Sequence, residues 1–75
     1  MNDVATFYDG RLFPSEITAV KNVQSNGGVV YRTAGGAGHY VAVFGSSTGI
    51  PTVLELEYLP RTLRWRWAEM PRVVS

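Results

Sequence analysis

A chain of 75 residues with no cysteine makes one domain, 1–75, with no disulfide framework and no thiolate metal site to reinforce it. Its apolar content of 45% is that of a folded protein, and its formal charge of +1 supplies no global field to draw in nucleic acid. No run of about 18 apolar residues and no basic-then-apolar leader is present, so the expected setting is cytoplasmic, away from the membrane.

The first element is the run ATFY, which reads as a short strand before the turn Asp9-Gly10. It belongs to the aromatic stretch FYDGRLF. If the later strands fill the small core, Phe7, Tyr8, Arg11, Leu12 and Phe13 are left over as a surface for a partner or for self-association. The competing reading has Phe7 and Phe13 closing the open end of a barrel.

Residues 15–25, SEITAVKNVQS, carry two sets of signals. As a helix, Ser15 is an N-cap, Ile17, Val20 and Val23 or Gln24 share a face, and Asn26-Gly27 is the stop. As a strand, the β-branched Ile17, Thr18, Val20 and Val23 are at ease, and Asn-Gly is the strongest short hairpin signal. The β-branched content tips the reading toward a strand, with the helix as its alternative.

VVYRTA and HYVAVF then fold on each other across the loop TAGGAGH. With Arg32 opposite His39, one face collects Val29, Tyr31, Tyr40, Ala42 and Phe44 and forms the core side. HYVAVF is apolar on both faces, as a central strand covered on both sides or a barrel strand would be. The glycine loop has neither the Lys-Ser/Thr ending of a phosphate loop nor a helix after it, and reads as a hairpin tip.

The last element, LELEYLPRTLRWRW, is an amphipathic hairpin within 53–68. Placing Leu59 opposite Thr62 pairs Glu57 with Arg64, Leu56 with Trp65, Glu55 with Arg66 and Leu54 with Trp67. One face then holds Leu54, Leu56, Tyr58, Leu63, Trp65 and Trp67, and the other holds only Glu55, Glu57, Arg64 and Arg66. Burying the large apolar side chains is worth about 1.5–3 kcal/mol each, whereas burying the charges costs several kcal/mol per ion, so the tryptophan face goes inside.

The fold expected from these elements is mostly β, a small antiparallel barrel or sandwich of five to six strands. The alternative is α+β, one helix at about 15–25 packed on a four- to five-stranded antiparallel sheet. No catalytic centre, metal site or cofactor is expected: His39 is the single histidine, and no HxH, HxxxH or nucleophile-elbow pattern occurs. A small-molecule substrate is likewise not expected.

Charge is unevenly spread. Residues 1–60 carry a net −2, while 61–75 carry Arg61, Arg64, Arg66 and Arg72 against Glu69, a net +3. Any anion- or nucleic-acid-binding surface therefore falls on those four arginines, in a strand whose Arg-Trp alternation resembles base-stacking surfaces. The favoured expectation is a non-enzymatic protein-binding module, in the manner of a phage or mobile-element accessory protein that inhibits a host factor. It occludes or bridges a larger partner and can itself be a homodimer. A nucleic-acid-binding β-barrel is the alternative.

Overall fold

The computed structural model describes residues 4–32 and 39–70. Its elements are α1 (Val4–Tyr8), β1 (Leu12–Phe13), α2 (Glu16–Ser25), β2 (Val29–Arg32), β3 (Tyr40–Phe44), β4 (Thr52–Leu59) and β5 (Arg64–Glu69). The strands form one antiparallel sheet in the order β1-β5-β4-β3-β2, with β1 and β2 at its edges among the described residues. Both helices lie on the same face. The sheet is open and does not close into a barrel, and the α+β arrangement is the one realised.

The strand reading of residues 15–25 is overturned. Ser15 is extended, with φ −151° and ψ 163°, and its Oγ accepts a hydrogen bond from the Thr18 backbone N–H at 3.2 Å, an N-cap in the strict sense. At the other end Gly28 N–H donates to Val23 O at 3.0 Å and Gly27 N–H to Gln24 O at 3.2 Å, while Gly27 takes φ 85°. That pair of bonds is a Schellman stop, and only a glycine takes its left-handed position without strain. The buried face is Ala19 and Val23, with Val20 beside them; Ile17 points to solvent. Both ends were written into the sequence, and together with the buried face they outweigh the few tenths of a kcal/mol that each β-branched residue costs.

ATFY is likewise helical. Five residues are too few for a helix to hold itself, so the cause is tertiary: Tyr8, 0% exposed, sits against the rings of Phe13 and Phe44, at centroid distances of 6.5 and 5.7 Å. Gly10, with φ 73°, turns the chain into β1.

The core consists of Tyr8, Phe13, Ala19, Val23, Ala42, Phe44, Leu54, Leu56 and Trp67. Among the described residues no charged side chain is buried, and no helix is long and apolar enough to cross a membrane. The Tyr8 hydroxyl donates to Asn22 O at 3.3 Å. Desolvation raises its pKa above the usual tyrosine value, against smaller lowering by a hydrogen bond with Asn26 and by the charge of Arg11. A raised folded-state pKa means that the folded chain holds its proton longer than the unfolded one. The stability contribution is complete below about pH 10 and is lost as pH rises through the folded value. Urea midpoints are therefore expected to fall as pH rises above about 10 in the parent and to fall less in Tyr8→Phe. Equal slopes would refute this role for the buried hydroxyl.

Two registers differ from those read in the sequence. The β4–β5 hairpin pairs Leu59 with Arg64, Tyr58 with Trp65, Glu57 with Arg66, Leu56 with Trp67 and Glu55 with Ala68. This is a shift of two residues, produced by a four-residue loop, 60–63. Thr62 and Leu63 N–H both donate to Leu59 O, at 3.2 and 2.9 Å, and Leu63 takes the left-handed φ of 56°. A shift of two leaves every side chain on its original face. Leu63, however, moves out of the pairing and into the loop.

The β2–β3 pair is shifted by one: Arg32 lies opposite Tyr40, Tyr31 opposite Val41, Val30 opposite Ala42 and Val29 opposite Val43. A shift of one exchanges the faces of a strand. Ala42 and Phe44 remain inside, but on β2 Val30 packs on the core, and Val29 and Tyr31 stand outside, 53% and 58% exposed. The loop residues 33–38 lie outside the described part of the chain.

Candidate protein-binding face

The two faces of the sheet are unlike. One carries Phe13, Ala42, Phe44, Leu54, Leu56 and Trp67 under the helices. The other receives no described element. Because opposed residues share a face, its composition follows directly from the register.

Across the strands that bare face is built in rows. The first row is Val29, Val43 and Val53; the second is Tyr31, Val41, Glu55 and Ala68. The third is Glu57, Arg66 and Leu12, and the last is Leu59 and Arg64. His39, two residues before Val41, shares the face, and its Nδ1 lies 3.6 Å from Glu55 Oε1. Arg66 Nε donates to Glu57 Oε1 at 2.7 Å, and Arg66 Nη2 donates to the same oxygen. The face thus runs from a valine end at β2–β3 to a charged end near the β4–β5 loop. Val41, Val43 and Val53 are half-buried by their neighbours, with nothing described above them.

The N-terminal candidates divide between core and surface. Tyr8 and Phe13 are core residues and are unavailable to a partner in the folded chain. Phe7, Arg11 and Leu12 are exposed. The Arg11 guanidinium sits over the Phe7 ring at 4.9 Å and the Phe13 ring at 5.6 Å, covering the aromatic edge rather than leaving it bare. Leu12 is opposite Arg66 and so belongs to the bare sheet face.

The arginine candidates also separate. Arg66 is bonded to Glu57, not Glu55; Arg64 is exposed opposite Leu59, not Glu57; Arg61 is exposed in the loop; Arg72 lies outside the described residues. Trp67 is 1% exposed, and its indole N–H donates to Ala19 O at 3.2 Å. Trp65 is half-buried, with its ring 5.0 Å from that of Tyr58. The Arg-Trp strand therefore offers no free ring on the arginine side of the sheet.

A half-open cleft of about 330 Å³ lies between α1 and β5, with Thr6, Asp9, Arg66, Trp67 and Glu69 among its walls. Its arginine is already held by Glu57. Among the described residues no three His, Cys, Asp or Glu side chains gather as a metal site.

Sequence reasoning missed the valine end of the bare face because it turned β2 over. One signal could have found it. VVYR and YVAVF are apolar at both parities, and a chain of this length has helices enough for one layer only, so one parity of these strands had to remain outside. Comparison of the chain with known protein families, curated proteins and solved structures found no match.

Proposed function

We propose that this chain is a non-enzymatic protein-binding module that seats another protein on the bare face of its sheet, and by doing so occludes or bridges that partner. The observation that carries the reading is the valine end of the face: Val29, Tyr31, Val41, Val43 and Val53 form one apolar surface with no described element over it. A contiguous apolar patch rimmed by charge is the common signature of a protein interface. The rim here is Glu55, Glu57, Arg66 and Arg64. The burial of Trp67 and the engagement of Arg66 by Glu57 weigh against the nucleic-acid alternative. A cytoplasmic setting and an inhibitory role toward a larger protein belong to the same proposal.

The test is affinity capture of the tagged chain from lysate of its native cells, with and without nuclease. The parent is expected to retain one defined protein after nuclease treatment and at physiological salt, that protein being either a larger partner or the untagged chain itself. Val43→Asp is expected to lose it, and Ile17→Asp, on the outer side of α2, to keep it. Recovery of nucleic acid alone, released between low and physiological salt, would overturn the reading.

A further inference from the structure

We propose that Asn26-Gly27 is a self-modification site, held shut by the C-terminal stop of α2 and opened whenever that helix end comes apart. Asn2, Asn22 and Asn26 are the asparagines of the chain, and Asn26 alone precedes a glycine. A glycine has no Cβ to crowd its backbone nitrogen, so that nitrogen can reach the side-chain carbonyl carbon of the residue before it. The reaction needs only water. The Gly27 nitrogen loses its proton and bonds to Asn26 Cγ, the Cγ–Nδ2 bond breaks, and the side-chain nitrogen leaves as ammonia with that proton. Water then opens the cyclic imide at either carbonyl, giving aspartate, or isoaspartate with the main chain routed through Cβ and Cγ. Nothing is oxidised or reduced.

In the folded chain the geometry forbids that attack. Ring closure requires the Gly27 nitrogen to lie eclipsed with Asn26 Cβ about the Cα–C bond. Asn26 instead has ψ 18°, which turns the Gly27 nitrogen toward the backbone nitrogen of Asn26 and away from Cβ. Both reacting groups are also occupied. Gly27 N–H donates to Gln24 O at 3.2 Å, which holds the proton that must leave, and Asn26 Nδ2 donates to Asn22 O at 2.7 Å, which ties down the departing amide. Asn26 is exposed, so water reaches it and conformation is what keeps it intact. To react, the helix end must give up these bonds together, which limits conversion to the open fraction of the population.

Conversion also prevents the stop from re-forming. An aspartate at position 26 cannot donate to Asn22 O, and its charge stands at the negative end of the α2 dipole. An isoaspartate inserts a methylene into the main chain between the Val23 carbonyl and the Gly28 N–H that donates to it at 3.0 Å. Gly28 has no slack to absorb the insertion: it sits so close to its neighbours that even an added Cβ would stand 2.5 Å from Val23 Cγ1 and 2.7 Å from the Phe44 ring. A passing opening of α2 can thereby become permanent, and the lifetime of the fold is tied to how often this helix end frays.

Mass spectrometry of the tryptic peptide 22–32 tests this, with the chain incubated in mildly alkaline buffer and in urea above its unfolding midpoint, beside a synthetic peptide of residues 22–30 that sets the unprotected rate in each solution. The amide-to-acid mass change at Asn26 is expected at least about 10-fold more slowly in the folded chain than in the peptide, and at the rate of the peptide once urea has unfolded the chain. Val23→Ala, which loosens the packing under the stop, is expected to speed the folded chain, and so is urea below the midpoint, which needs no variant. The isoaspartyl chain, separated by chromatography after ageing in urea and then refolded, should unfold at a lower urea concentration than the parent. Equal rates in the folded chain and in the peptide overturn the proposal. So does a folded rate indifferent to both Val23→Ala and urea below the midpoint, or an isoaspartyl chain as stable as the parent.

Discussion

Trp67→Ala is expected to lower the unfolding free energy by about 3–5 kcal/mol, the range for removing a fully buried large side chain. Trp67 is 1% exposed and lies opposite Leu56 in the middle of the core. Its indole N–H reaches Ala19 O, so the same side chain fills space and fixes α2 against the sheet. The loss is large against the total, because small domains hold only a modest margin: about 0.05–0.15 kcal/mol per residue is typical. Urea unfolding followed by circular dichroism should show the midpoint collapse. Trp67→Phe keeps most of the volume and drops the hydrogen bond, with an expected cost of about 1–3 kcal/mol. A Trp67→Ala variant within about 1 kcal/mol of the parent would mean that the indole is not the anchor described.

Gly28→Ala is expected to destabilise the fold by about 1–3 kcal/mol, against the usual gain of a few tenths to 1 kcal/mol when a compatible glycine is replaced. The obstacle is space, since the backbone of Gly28 is outside the left-handed region. A Cβ there would stand 2.5 Å from Val23 Cγ1 and 2.7 Å from the Phe44 ring. Both neighbours are buried and have little room to yield. Guanidinium unfolding of the single variant and of Gly28→Ala with Val23→Ala checks the cause. The second change should recover part of the loss, beyond what its own cavity costs. A Gly28→Ala chain as stable as the parent would show that β2 can move away from α2.

What could be read in advance follows the physics of each element. The hairpin sorted correctly into a tryptophan face and a charged face because side-chain period depends only on parity, and a shift of two conserves parity. Its pairing partners were not legible, since they depend on the loop: Pro60 and Arg61 announced a turn, but nothing marked Leu63 for a left-handed φ that a leucine adopts at a cost of about 1–2 kcal/mol. In β2 the unknown loop length mattered more, because a shift of one moved Tyr31 from the expected core to the surface. The helix over 16–25 was announced by Ser15 and by Asn26-Gly27-Gly28; weighting Ile17 and Val20 as strand formers set those caps aside. Of the proposed contact surface, Leu12 was named in advance, whereas Val29, Tyr31, Val41, Val43 and Val53 were not. Phe7 and Tyr8, adjacent in sequence, went to opposite environments, and which of the two would be buried was a matter that the five residues of α1 could not decide alone.

The pairing of β1 with β5 joins Leu12 to Arg66 and Phe13 to Trp65, across nearly the whole described chain. Its consequence is one of timing. On a ribosome, Tyr8, Phe13, Ala19 and Val23 emerge long before Trp67, the residue that completes their burial, and the early segments have only one another to hide against. The meander β2-β3-β4-β5 can form by adding neighbours in order, but the N-terminal third must wait for the last strand. Folding is therefore expected to be a late, single event with slow kinetics for so short a chain, because the contact that closes the core is also among the most distant in sequence.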